Sequence, residues 1–143
     1  ARVGVPTTLT ATVTDGNDQD DTISLVTNGT LEETPRGYRL QYEENLNEDE
    51  PPQAVTLLLE DNSVTMQREG DYETGMVFAK GQRYESQYHT PYGLIDMAVY
   101  CSLARYRWTG NAGEMRLRYQ LDVSGQFVSM HEMTLQFLLK EDA

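Results

Sequence analysis

A single cysteine, Cys101, stands among 143 residues, so no internal disulfide can form. The core must hold by burial alone, and a chain of this length buries roughly two-thirds of its surface on folding. The missing thiol pairs suit a reducing compartment, and a cytoplasmic location is expected, with Cys101 a small apolar core residue. No apolar run reaches the length of a membrane-spanning helix, and no basic-then-apolar leader opens the sequence. Basic residues are scarce: 11 against 23 acidic ones leave a formal net charge of −12. That balance repels nucleic acid and anionic membrane, so neither is an expected partner. Long helical periods are also scarce; only Leu94–Trp108, which alternates as a strand, is a run long enough for a helix.

What is present is alternation. Threonine, tyrosine and valine recur in short period-two segments, which points to an all-β class in one domain over 1–143. Thr7–Asp15 alternates with Leu9, Ala11 and Val13 facing in. Asp15–Asp21 is an acidic turn; it brushes a calcium-loop pattern, but Gln19 replaces a ligand and Asp20 stands where glycine is needed. Thr22–Leu31 is the second strand, with Ile23, Leu25 and Thr27 on one face and a strand irregularity expected at Gly29. Arg36–Glu43 follows, with Tyr38, Leu40 and Tyr42 inward. Glu44–Gln53 is a long acidic loop, a solvated linker or a lid over one barrel mouth. Ala54–Glu60 and Ser63–Glu69 form a hairpin around Asp61-Asn62. Val55, Leu57 and Leu59 share one face, and Val64, Met66 and Arg68 another.

Arg68–Gly93 is the centre of the chain. Arg68 points where the apolar residues point, and a buried guanidinium must be paired or hydrogen-bonded. Lys80-Gly81 is expected to close a tight hairpin, and Pro91-Tyr92-Gly93 to make the next turn. Alternation puts Tyr84, Ser86, Tyr88 and Thr90 inside, and Arg83, Glu85, Gln87 and His89 outside.

The last third carries a conflict of faces. Ile95, Met97, Val99, Cys101 and Leu103 face in at odd positions, whereas Tyr106 and Trp108 should face in beside Leu117 and Met115. A β-bulge near Cys101–Arg105 resolves it. Arg105 and Arg107 then lie outside beside Arg118 and Arg116. These four arginines form an outer patch that binds an anion or a partner, or pairs with nearby carboxylates. Phe127, His131, Met133, Leu135 and Phe137 share a face of the final strand.

The ordered set Arg68-x-Gly70, Phe78-x-x-Gly81, Ser86-x-Tyr88 with Gly93, and His131-x-Met133-Thr134 resembles the YwiB-like bacterial proteins, an uncharacterised domain family. The resemblance runs over nearly the whole chain. It implies a lipocalin-like (calycin-type) barrel and no established activity. The expected fold is a single antiparallel up-and-down β-barrel of about eight to ten strands.

Two function classes follow. In the first, the barrel binds a small anionic or amphipathic molecule. Arg68 anchors it, and Tyr38, Tyr42, Tyr84, Ser86, Tyr88, Tyr119 and His131 line the wall. In the second, Arg68 caps a filled interior against carbonyls or an internal acid, and the domain is a protein–protein interaction module. The oligomeric state is open, a homodimer included. Support for an enzyme is weak: there is no Gly-x-Ser-x-Gly elbow, no pair of inward carboxylates and no phosphate loop. No metal or cofactor is expected. The two histidines, His89 and His131, fall on opposite faces, and His131 is the sole inward candidate for a haem ligand.

Overall fold

The computed structural model describes residues 2–44 and 51–139. Most of the acidic segment expected as a linker or lid (45–50) lies outside the described residues. Ten strands run in order: β1 (Arg2–Asp15), β2 (Asp20–Thr34), β3 (Gly37–Glu44), β4 (Gln53–Glu60), β5 (Ser63–Glu69), β6 (Thr74–Phe78), β7 (Arg83–Thr90), β8 (Gly93–Thr109), β9 (Ala112–Val123) and β10 (Gln126–Leu138). They form one antiparallel sheet in the order β6-β5-β4-β3-β2-β1-β10-β9-β8-β7. Consecutive strands pair up and down except β6 and β7, and β1 meets β10, so the sheet curls into a nearly closed barrel.

Alternation explains the packing. The inward positions of β4 (Val55, Leu57, Leu59), β5 (Val64, Met66), β6 (Met76, Phe78), β9 (Met115, Leu117) and β10 (Leu135, Phe137) are all buried, and they meet in one core. The mid-section of the barrel is therefore filled by its own side chains, as narrow barrels commonly are.

The face conflict in β8 is resolved by a bulge. Cys101 pairs with Tyr119, but Leu103 pairs with Arg118, so the register shifts between them. Tyr106 and Trp108 consequently face in. Trp108 packs edge-on against Tyr38 and Phe137, with ring centroids 5.3 and 5.2 Å apart.

Three expectations fail. Lys80-Gly81 turns the chain without closing a hairpin: β6 pairs only with β5, and β7 only with β8. Gly81 instead donates to the Cys101 carbonyl at 2.7 Å, and Cys101 N–H donates to Gln82. Between β6 and β7 the described residues form a seam joined by one bridge, Glu73 with His89. Gly29 sits in regular register opposite Val5. It is a point of close approach: an added Cβ would lie 2.9 Å from Thr7 Oγ1 and 3.1 Å from Leu40. Phe127 is exposed because a second bulge, between Phe127 and Ser129, turns it outward and brings Ser129 inside.

The strands differ in length, and that shapes one end. Thr30 pairs with Gln41, and continuing this register sets Glu44, the last residue of β3, level with Thr27. Residues 20–26 of β2 therefore run past β3 by roughly 20 Å at the usual rise per residue. The long strands overhang the shorter β3–β6 and present half-buried Val13, Leu25, Met97 and Leu121 on the inner face of the overhang.

Candidate functional site

The polar end of the interior is built from two rows of side chains. Across β3–β6, Tyr42, Val55, Arg68 and Thr74 are register partners in turn. Across β8–β9–β10–β1 the row is Cys101, Tyr119, His131 and Val13. The rows face each other under the overhang.

Arg68 is inward and has a partner. Its Nε donates to Glu44 Oε2 at 3.1 Å, and its Nη2 to Oε1 at 3.5 Å. Glu44 is 4% exposed and the Arg68 side chain 25%. Burial is the largest influence and works against the guanidinium charge, but the Glu44 carboxylate together with Tyr119 and Tyr42 outweighs it, and the Arg68 pKa is raised. The anchor expected for an anion is thus already matched by an internal acid, and the floor of the site carries one charge of each sign.

Hydroxyls surround this pair. Burial first, and the Glu44 carboxylate second, push the Tyr42 phenol upward. Tyr119 is likewise raised by burial. Its ring stacks on His131 with centroids 4.7 Å apart and an interplanar angle of 2°. His131 Nε2 and Ser129 Oγ share a hydrogen bond of 2.8 Å. Burial, with Arg68 adding to it, lowers the His131 pKa to about 4, so the ring is neutral at pH 7. Tyr42 Oη and Thr74 Oγ1 are buried and find no hydrogen-bond partner among the described residues. Buried hydroxyls are normally satisfied; these two share one row, and a third unpartnered buried group, Trp108 Nε1, lies at the opposite end.

The site opens at the seam. A groove of about 450 Å³ is lined by Arg68 and Thr74 on one side and by Tyr84, Ser86 and His89 on the other. Ser86 Oγ crosses the seam to the Gly75 carbonyl at 2.6 Å.

The expected wall residues separate. Tyr42, Arg68, Tyr119 and His131 gather at the polar end; Ser86 and Tyr84 line the seam. Tyr88 leans on Tyr72 with centroids 5.9 Å apart. Tyr38 lies at the opposite end, against Tyr106 and Trp108, and takes no part in this cluster. Glu44, Thr74 and Ser129 belong to the cluster without having been foreseen. For Glu44 the signal was available: it stands two residues after inward Tyr42. Among the described residues no group of three His, Cys, Asp or Glu side chains could hold a metal.

The four arginines lie on the outer face. Arg107 approaches Glu114 at 3.8 Å, and Arg118 pairs with Glu132 at 2.6 Å. Arg105 and Arg116 stand directly opposite each other on β8 and β9.

Residues 8–135 match the model of a domain of unknown function, DUF1934. The chain belongs to this family. Among solved structures, the family member resembles the crystal structure of the ywiB protein from Bacillus subtilis, with a TM-score of 0.85 and 15% identity. The match covers 98% of this chain and 94% of the other. At that identity the likeness speaks for the fold alone. No curated protein matches. No described helix is long and apolar enough to cross a membrane, which leaves spanning by strands unaddressed.

Proposed function

We propose that this domain binds a small amphipathic molecule at the polar end of the barrel. Its head group reaches Tyr42 and Thr74, and its apolar part lies against Val13, Leu25, Met97 and Leu121. The observation that carries this reading is the pair of buried hydroxyls without partners, set in one row with Arg68 and bordered by the seam groove. The Arg68–Glu44 pair favours a head group with both donors and acceptors, uncharged or zwitterionic, over a bare anion, which would have to displace Glu44. Native mass spectrometry of protein purified from its own host tests the proposal. The expected result is a bound mass that the double variant Tyr42→Phe, Thr74→Val loses. A bare chain, or a bound mass indifferent to that variant, refutes it.

A second reading rests on Arg105 and Arg116. Like charges directly opposite on neighbouring strands are unfavourable, and neither arginine has a carboxylate partner among the described residues. An acidic partner docking on the outer face of β8 and β9 would relieve them.

A further inference from the structure

Tyr42 Oη and Thr74 Oγ1 are buried, so a molecule that reaches them needs the wall of the barrel to part. The weakest joint in that wall is the seam. β6 and β7 are the two ends of the sheet, and β6, with five residues, is the shortest strand described. Glu73 and His89 exchange hydrogen bonds of 2.9 and 2.8 Å across the gap. Beside them the Ser86 hydroxyl donates to the Gly75 carbonyl, and the Tyr72 ring leans on Tyr88. Elsewhere the ladders are continuous: β4 and β5 share seven register pairs. The two ends of the seam also differ. Gly81 N–H is fixed to the Cys101 carbonyl at 2.7 Å, whereas the Glu73–His89 end borders the groove that holds Arg68 and Thr74. The turns on either side of β6 each carry a glycine at positive φ, Gly70 at 146° and Gly81 at 79°. Glycine absorbs backbone rotation there without a side-chain clash.

We infer that β6 parts from β7 as a gate, pivoting at Gly81 and opening at the Glu73–His89 end, and that the molecule bound at the polar end enters and leaves there. The purpose of the gate rests on the ligand reading given above; the motion does not. Thr74 sits at the opening end of the moving strand, and fully buried Phe78 at the pivot end. Opening therefore uncovers one of the two unpartnered hydroxyls, and closing returns it to the row beside Arg68. The motion gives up the Glu73–His89 pair and the Ser86 bond but keeps the ladder between β5 and β6. It is a local opening, reached far more readily than unfolding. A gate of this kind slows binding and release alike, and leaves affinity unchanged because the bound and free states are both closed.

The double variant Glu73→Cys, His89→Cys tests this. A mutually hydrogen-bonded antiparallel pair sets its Cα atoms about 5.5 Å apart, within reach of a disulfide. Both side chains are exposed, and Cys101 is buried. The probe is N-phenyl-1-naphthylamine, a neutral amphipathic dye, followed by stopped-flow fluorescence. The oxidised variant should bind and release the dye at least about tenfold more slowly than the same protein in dithiothreitol, with Kd within about twofold. Ser86→Ala removes a bond of the closed state and should speed both rates about fivefold. Hydrogen exchange reads the motion without any ligand. In the parent protein the Glu73 and His89 amides should exchange at least about a hundredfold faster than those of Leu57 and Leu117. Protection of the two seam amides equal to that of Leu57 overturns the gate. Dye rates untouched by the disulfide also overturn it, and leave the ligand reading standing. A dye that binds no form of the protein sinks the ligand reading, and the role of the gate with it.

Discussion

Removing the Arg68 guanidinium should cost far more than removing the pair it belongs to. In Arg68→Met the Glu44 carboxylate, 4% exposed, loses the cation that holds it. Breaking a buried pair from one side costs about 3–5 kcal/mol, and the partial solvent access of Arg68 points to the lower end, about 3 kcal/mol. For a chain of this size that lowers the melting temperature by about 6–12 °C. In Glu44→Gln, Arg68 keeps a hydrogen-bond acceptor and some solvent, so the cost is smaller, about 1–2 kcal/mol. The double variant Arg68→Met, Glu44→Met removes both charges and should lie within about 1 kcal/mol of the parent. Urea titration of the four proteins gives the cycle directly. Additive losses in the double variant would show that the two side chains do not act as a buried pair.

Stability should fall as pH drops from 6.5 through about 4. His131 titrates near 4 when folded and at 6.5 when unfolded, so the unfolded chain binds more protons in that window. The effect is about 3 kcal/mol, and His131→Gln should flatten that part of the urea-versus-pH profile; an unchanged slope would mean the ring is solvated. Deleting Ser102 should leave a folded protein, since it is the extra residue of the β8 bulge, whereas deleting Ala98 reverses the faces on one side and should abolish folding by circular dichroism. Gly113→Ala should destabilise by about 2–4 kcal/mol, because its Cβ would run into the buried Phe137 ring beneath Trp108. Arg105→Gln should stabilise by about 0.5 kcal/mol at low salt, fading at high salt; a loss would mean that Arg105 has a favourable partner.

Alternation carried most of the fold. It assigned inward faces in β3, β4, β5 and β9, placed Arg68 inside, and exposed the parity conflict that the β8 bulge resolves. It was blind to anything set by other strands. The seam between β6 and β7 arises because Gly81 and Gln82 bond to Cys101 rather than leading a hairpin, and no local pattern encodes that competition. Phe127 was misassigned because one bulge reverses every side chain beyond it. Gly29 marks a close approach of Thr7 and Leu40, partners from other strands. At the site, Arg68 and His131 were legible as polar groups on apolar faces. Glu44 was hidden by its place beside an acidic loop, although its parity with Tyr42 pointed inward.

The ligand proposal meets its most direct test in a high-resolution crystal structure of the protein purified from its own host. Continuous organic density is expected within hydrogen-bonding distance of Tyr42 Oη and Thr74 Oγ1, extending along Val13 and Leu25. Water alone at those two hydroxyls, or Arg68 turned out to solvent away from Glu44, would contradict it.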